Sequence, residues 1–166
     1  SLRGDFGAVV MHPGSNVQDS VTMHCFPDSD VTIEENGHVG HGSVLHGCHV
    51  GHDALIGINA VLLDRCVVGA RAFVGANSLV RGGMRVPDDH LAHGSPAAVV
   101  RELTEDEKAW KLNGTRAYHE LARRSLATVH EVDAGDPQEP TGPRLAAWVA
   151  AIPVEEYRAA RATPPA

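Results

Sequence analysis

Residues 50–80 read VGHDAL IGINAV LLDRCV VGARAF VGANSL V, and the aliphatic residue that opens each block decides the fold. Val50, Ile56, Leu62, Val68, Val74 and Val80 recur every six residues. A helix repeats every 3.6 residues and a simple strand every two, so this period fits neither. It fits a coil of short strands in which three hexapeptides make one turn. Residues 18 apart then stack, Val50 over Val68, Ile56 over Val74 and Leu62 over Val80, and the aliphatic side chains fill a narrow triangular prism.

The flanking positions agree. Glycine often follows the aliphatic residue, as Gly40, Gly51, Gly57, Gly69 and Gly75 do. The fourth residue after it is small in Gly37, Ser43, Ala54, Ala60, Cys66, Ala72 and Ser78, which suits the corners of a prism. The register extends upstream through Ile33, Val39 and Leu45, with one five-residue step from Leu45 to Val50. A valine-rich sandwich would instead need irregular spacing and recognisable hairpin turns. The period leaves the hand of the coil open.

Downstream, the repeat is expected to stop near Pro87, and Gly94 Ser95 Pro96 Ala97 to turn the chain off the prism. Thr104 and Glu107 form a capping box, with acidic residues crowding the first turn of a helix. Trp110, Ala117, Leu121 and Leu126 offer that helix a loose apolar stripe, and Gly114 marks a weak point in it. Asp133–Pro143 reads as a linker, residues 144–161 as a short second helix broken at Pro153, and the Ala–Pro tail as frayed. The expected class is all-β with a C-terminal α element: a β-helix over residues 1–103, a helix packed on it over 104–132, and a tail over 133–166.

Composition bounds the rest. A chain of 166 residues with 43% apolar content is long enough to bury a core without disulfide staples. Its net charge of −7 supplies no basic field for nucleic acid or anionic lipid. No long apolar run and no secretion leader are evident, so the expected setting is cytoplasmic. Cys25, Cys48 and Cys66 lack the paired short spacings of a zinc ribbon and read as small core thiols. The chain opens on Ser1 rather than Met, which reads as a trimmed or partial chain.

Histidine is the unusual residue. His38, His41, His46, His49 and His52 lie within 15 residues, and His24 lies upstream. Any one of them is unexceptional at an outward prism position, but the cluster invites a metal. His24 and His41 are 17 apart, nearly one coil, and are expected to emerge at similar places on adjacent rungs. Five extended residues between His41 and His46 span too far for both to reach one metal easily, so one chain alone is a poor chelator. Two subunits meeting on flat prism faces could set His41 of one opposite His24 and His46 of the other. Three imidazoles with an open fourth position form the ligand set of hydrolytic zinc.

Four stretches carry a resemblance: Leu2 Arg3 Gly4 Asp5, Asn16 Val17 Gln18 Asp19 with His24, Gly40 His41 Gly42 through Leu45 His46 Gly47 Cys48, and Gly94 Ser95 Pro96 Ala97. Together they resemble the gamma-class carbonic anhydrase branch of the left-handed β-helix hexapeptide proteins, over residues 1–103. Ala109 Trp110 Lys111 through Gly114 Thr115, and Tyr118 to His130, resemble the helical tail of a narrower subgroup of phenylacetate-degradation and carnitine-operon proteins. The resemblance implies a left-handed coil and a homotrimer with interfacial sites. His24 and His46 of one subunit and His41 of the next would bind Zn2+, with Co2+ and Fe2+ accepting the same ligands. Gln18 would orient the metal-bound water, Asp5 would hold Gln18, and Arg3 and Asp19 would pair at the subunit contact.

Three departures qualify it. The family has further coils before the Leu-Arg-Gly-Asp motif, so the N-terminal end of the prism is expected to be open. The family's proton-shuttling glutamate loop finds only Asp28 and Asp30 between Cys25 and Asp30, which argues against rapid CO2 hydration. The tail from Asp133 carries no assignable motif. The functional expectation is a metal-dependent thioesterase acting on acyl-coenzyme A in phenylacetate degradation. The alternatives are carbonic anhydration of CO2 to bicarbonate, coenzyme A-dependent acyl transfer from a histidine base, and a non-catalytic trimeric scaffold.

Overall fold

The computed structural model describes residues 1–131, Gly135 and 153–162. Fourteen short strands wind as a parallel β-solenoid with three faces. The first face stacks β1 (Val9–Met11), β4 (Val31–Ile33), β7 (His49–Val50), β10 (Val67–Val68) and β13 (Arg85–Val86). The second stacks β2 (Asn16–Val17), β5 (His38–Val39), β8 (Leu55–Ile56), β11 (Phe73–Val74) and β14 (His90–Gly94). The third stacks β3 (Thr22–His24), β6 (Val44–His46), β9 (Val61–Leu62) and β12 (Leu79–Val80).

The stacking expected from the period is observed: Val50 pairs with Val68, Ile56 with Val74, and Leu62 with Val80. All six of these side chains are buried, and Val50, Ile56, Leu62, Val68 and Val80 are fully so. Small residues fill the corners, where Ala54, Ala60, Cys66 and Ala72 are fully buried. The buried hydroxyls there are satisfied, with Ser43 Oγ donating to the Gly57 carbonyl at 3.0 Å and Ser78 Oγ accepting from the Gly94 N–H at 3.2 Å. Cys25, Cys48 and Cys66 are buried free thiols, as read from the sequence.

Glycine follows the aliphatic residue because adjacent coils nearly touch there. A Cβ on Gly57 would stand 2.5 Å from the backbone nitrogen of Ala76 and 2.7 Å from the Val74 carbonyl oxygen. The other corner requirement is a left-handed backbone, met at six-residue intervals by Asp53, Asn59, Arg65, Arg71 and Asn77 with φ of 56° to 59°. Asp and Asn adopt that conformation more readily than most side chains.

Coil length is not uniform. Val9 pairs with Val31, Asn16 with His38 and Met23 with Leu45, each partner 22 residues on. The next coil is shorter, pairing Ile33 with Val50, Val39 with Ile56 and Leu45 with Leu62, each 17 on. The long coil comes from the six-residue corner Cys25–Asp30 between β3 and β4, and the short one from the tight corner at Gly47, where φ is 53°. Val9 and Val17 of the first coil are only partly buried, whereas Val31 and Val39 above them are fully buried.

The end of the solenoid departs from expectation. The coil continues past Pro87 into β14, whose Ala92 stacks on Val74. The Gly94–Ala97 turn does not release the chain: β15 (Ala97–Glu102) folds back antiparallel on β14. Helix α1 (Glu105–Thr128) follows, with the capping box of Thr104 and Glu107 in place.

Helix α1 is continuous through Gly114. The face it buries is polar rather than the expected apolar stripe: Glu107, Lys111 and Thr115 are buried, while Leu126 is 89% exposed. The outer wall of a prism offers carbonyls and polar side chains, so a helix laid on it must bring hydrogen-bonding partners. Lys111 Nζ donates to the Asn36 carbonyl at 2.6 Å and stands 3.5 Å from Asp53 Oδ1. His119 Nε2 lies 2.9 Å from the Gly14 carbonyl, and Trp110 sets its ring edgewise on Phe73. Helix α2 (Val154–Ala162) begins after Pro153 and reaches back through Arg158, which pairs with Glu107 at 3.0 Å. The expected linker, apart from Gly135, and the expected frayed tail over 163–166 lie outside the described residues.

Candidate functional site

β3 lies directly on β6, in the register Thr22 with Val44, Met23 with Leu45 and His24 with His46. Side chains alternate along a strand, so Met23 and Leu45 enter the prism and the two histidines leave it together. Nδ1 of His24 lies 3.2 Å from Nε2 of His46. Each outer ring nitrogen meets a carboxylate: His24 Nε2 lies 2.9 Å from Asp5 Oδ1, and His46 Nδ1 lies 2.7 Å from Asp64 Oδ1.

These contacts constrain the protons. An ionised carboxylate only accepts, so both outer nitrogens donate, and in neutral rings the two inner nitrogens turn lone pairs toward each other. Such an arrangement calls for a cation between them, either a proton or a metal ion. Two nitrogens each about 2.05 Å from a tetrahedral zinc-type ion stand about 3.3 Å apart, so the spacing fits two ligands of one site. The outer carboxylates are the partners that metal-bound imidazoles ordinarily have. Burial raises the Asp5 carboxyl, but the His24 hydrogen bond and the Arg3 charge outweigh it and hold the group below its ordinary value.

Aromatic side chains flank the pair. The Phe6 ring centroid lies 5.6 Å from that of His24, and the Phe26 centroid 4.8 Å from that of His46. Both phenylalanines are more than half exposed, at 56% and 59%. Phe26 rides on the extra-long Cys25–Asp30 corner, so the insertion that lengthens the coil also covers His46. Phe26 and Asp64 also line an open cleft of about 380 Å³ with Pro27, Ser29, Arg65, Gly82 and Gly83.

His41 is placed elsewhere, between β5 and β6, with Nδ1 3.2 Å from Asp19 Oδ2. The expectation that His24 and His41 share a place on adjacent rungs is therefore corrected. The coil that separates those rungs is 22 residues long rather than 18, which puts His46 over His24. Among the described residues of one chain, no three His, Cys, Asp or Glu side chains converge as a ligand set. His49 pairs with Glu34 at 3.1 Å and His52 with Asp53 at 3.3 Å. His38 is half-buried against Tyr118, and burial with Lys111 nearby lowers its pKa to about 4.

The polar contacts within one chain differ from those implied by resemblance. Asp5 takes His24 and Arg3, the latter at 2.8 Å, and does not hold Gln18. Gln18 instead accepts from the His41 backbone N–H at 3.2 Å and donates through Nε2 to the Tyr118 hydroxyl at 2.6 Å. Within one chain Arg3 pairs with Asp5 and Asp19 with His41, rather than with each other.

Two site residues escaped the sequence reading. Asp64 lies 18 residues after His46, so the stacking rule applied to polar positions would have found it. Tyr118 lies 100 residues after Gln18, on a helix outside the repeat, and no local pattern signals that contact.

Comparison with known proteins places this architecture. The family description "Bacterial transferase hexapeptide (six repeats)" matches residues 47–82. The chain is 42% identical to the carnitine operon protein CaiE of Escherichia coli K12 over 145 residues, 87% of this chain and 74% of that protein. It is 43% identical to the Salmonella agona protein of the same name, covering 87% and 73%. A hexapeptide transferase family protein of Anaplasma phagocytophilum is similar in structure, with TM-score 0.71, 31% identity and 74% and 72% coverage. A Bacillus cereus protein assigned provisionally as an acetyltransferase is similar too, with TM-score 0.68, 38% identity and 70% and 67% coverage. These likenesses span both the coils that stack His24 on His46 and the helix that follows them, and on that extent of identity the chain belongs to the hexapeptide-repeat family of the carnitine operon protein CaiE.

Proposed function

We propose that the His24–His46 pair is two-thirds of a zinc-type centre, completed by His41 of a neighbouring copy in a homotrimer, and that the centre hydrolyses acyl-coenzyme A thioesters. The supporting observation is the pair itself: two inner nitrogens 3.2 Å apart, with both outer nitrogens on carboxylates. A metal held there supplies Lewis acidity and an activated water at neutral pH.

The chain's own residues do the rest. Asp5 and Asp64 fix the ring tautomers and keep both inner nitrogens available as ligands. Asp19 and Gln18 hold His41 in place through its ring and its backbone N–H. Phe6 and Phe26 form apolar walls that exclude bulk water and accept the acyl portion, with the cleft beside Phe26 as its extension. The net reaction consumes one water, breaks the acyl–sulfur bond and yields a carboxylic acid and a free thiol. CO2 hydration is the same attack on a smaller carbonyl. Asp28 and Asp30 are the only carboxylates of the Cys25–Asp30 corner, and rapid proton export is not built into it.

A second reading, acyl transfer from coenzyme A, is favoured by the relatives, since the matched family and the two similar structures are described as transferases. In that reading His46, backed by Asp64 at 2.7 Å, serves as general base toward an amine or hydroxyl acceptor and no metal is required.

The deciding experiment measures metal per protomer in wild type and His41→Ala, together with turnover of acyl-coenzyme A esters, CO2 and acyl acceptors. About one metal per protomer, lost along with hydrolysis in the variant, is the expected result. Metal-free protein that acylates an added acceptor overturns the hydrolase reading in favour of transfer, and turnover indifferent to His41 removes the composite centre.

A further inference from the structure

The contact between Gln18 and Tyr118 ties the C-terminal helix to the His41 half of the centre. A glutamine amide carries one acceptor and one donor end, and its neighbours decide which way it faces. The His41 backbone N–H can only donate, so the atom 3.2 Å from it is the amide oxygen. The amide nitrogen then faces Tyr118 at 2.6 Å, and the phenol oxygen is the acceptor.

That leaves the Tyr118 proton uncommitted. Among the described residues the hydroxyl makes no other hydrogen bond. The ring is held edgewise on His38, with centroids 5.2 Å apart, and the residue is half-buried. A donor fixed at its oxygen by one neighbour and at its ring by another, with its proton unpaired, is preorganised toward an acceptor that arrives later.

We propose that Tyr118 donates its hydroxyl proton in a hydrogen bond to the acyl oxygen of the substrate, and that Gln18 is its positioning residue. This rests on the composite centre proposed above. His41, Gln18 and Tyr118 form one connected unit on one copy, and His24 and His46 form the facing unit on the other. The acyl oxygen gains negative charge as the carbonyl is attacked, so a donor aimed at it strengthens its bond on the way to the transition state.

The test is Tyr118→Phe in the intact protein, assayed with the acyl-coenzyme A ester that wild type turns over fastest. Phenylalanine keeps the ring on His38, so metal content and thermal midpoint should match wild type. kcat is expected to fall about 100-fold with KM within about twofold, the scale of one lost oxyanion donor. Two inert analogues separate positioning from structure: a ketone in which CH2 replaces the thioester sulfur, and a thioether that lacks the carbonyl. Tyr118→Phe should weaken the ketone several-fold and leave the thioether unchanged. A kcat equal to wild type overturns the assignment, as does equal weakening of both analogues. If His41→Ala abolishes turnover while Tyr118→Phe does not, the failure belongs to Tyr118; turnover that survives His41→Ala overturns the composite centre and this inference together.

Discussion

Glu107 offers a quantitative test of how the helix is fastened to the solenoid. Its side chain is 11% exposed and receives both guanidinium nitrogens of Arg101, at 2.8 and 2.9 Å. It also accepts from the Thr104 N–H at 2.9 Å and hydroxyl at 3.1 Å. The Arg101 hydrogen bonds, helped by Thr104 and opposed by burial, lower its pKa from 4.5 to about 2. A carboxyl whose folded pKa is depressed contributes stability in full above the unfolded value and loses it as pH falls toward the folded value. The window therefore runs from about pH 4.5 down to about pH 2. A shift of about 2.5 units corresponds to ~3.4 kcal/mol at most, and the solvent that still reaches the side chain reduces it to ~2–3 kcal/mol. Glutamine mimics the protonated acid, so urea denaturation of wild type and Glu107→Gln across pH 2.5–7 should give a difference near that size at pH 6 that closes below pH 4.5, by roughly the linkage relation. Every other titrating group is common to both proteins and cancels. A difference that stays flat from pH 6 to about pH 2.5 would refute the reasoning, since the carboxylate charge would then contribute nothing to docking.

Three further outcomes follow from the same coordinates. Asp64→Ala removes the acceptor 2.7 Å from His46 Nδ1, and chelator competition should show metal affinity reduced about 10- to 100-fold; unchanged affinity contradicts the role given to Asp64. Gly57→Ala drives a methyl into the Ala76 and Val74 backbone, and a loss of about 3 kcal/mol or failure to fold is expected; a neutral result means adjacent coils separate more easily than drawn. Leu62→Ala, at 0% exposure, should cost ~3 kcal/mol, whereas Leu126→Ala, at 89%, should stay within ~0.5 kcal/mol. Comparable losses in the last pair would restore the apolar stripe to the helix.

The acid–base character of the site was only partly legible. His24 and His46 stand out in composition, yet spacing alone pairs His24 with His41, because a uniform 18-residue coil is the only register a repeat supplies. Six residues between β3 and β4 change the local coil to 22 and hand the partnership to His46. Asp64 was within reach of the same rule one coil later. The polar face of α1 was not, since burial of Lys111 makes sense only once the Asn36 carbonyl and Asp53 are known to face it.

By itself the sequence determined the prism: a six-residue aliphatic period repeats a local instruction, and each turn buries its own residues against the next whatever lies at either end. It likewise determined where the helix begins, because the Thr104–Glu107 capping box closes within four residues. The tertiary structure alone decided which histidines meet, which carboxylates back them, and that Tyr118 reaches Gln18 across 100 residues. Such contacts depend on register summed over every corner between the partners, and a single inserted or missing residue at a corner reassigns them all while leaving the hexapeptide pattern intact.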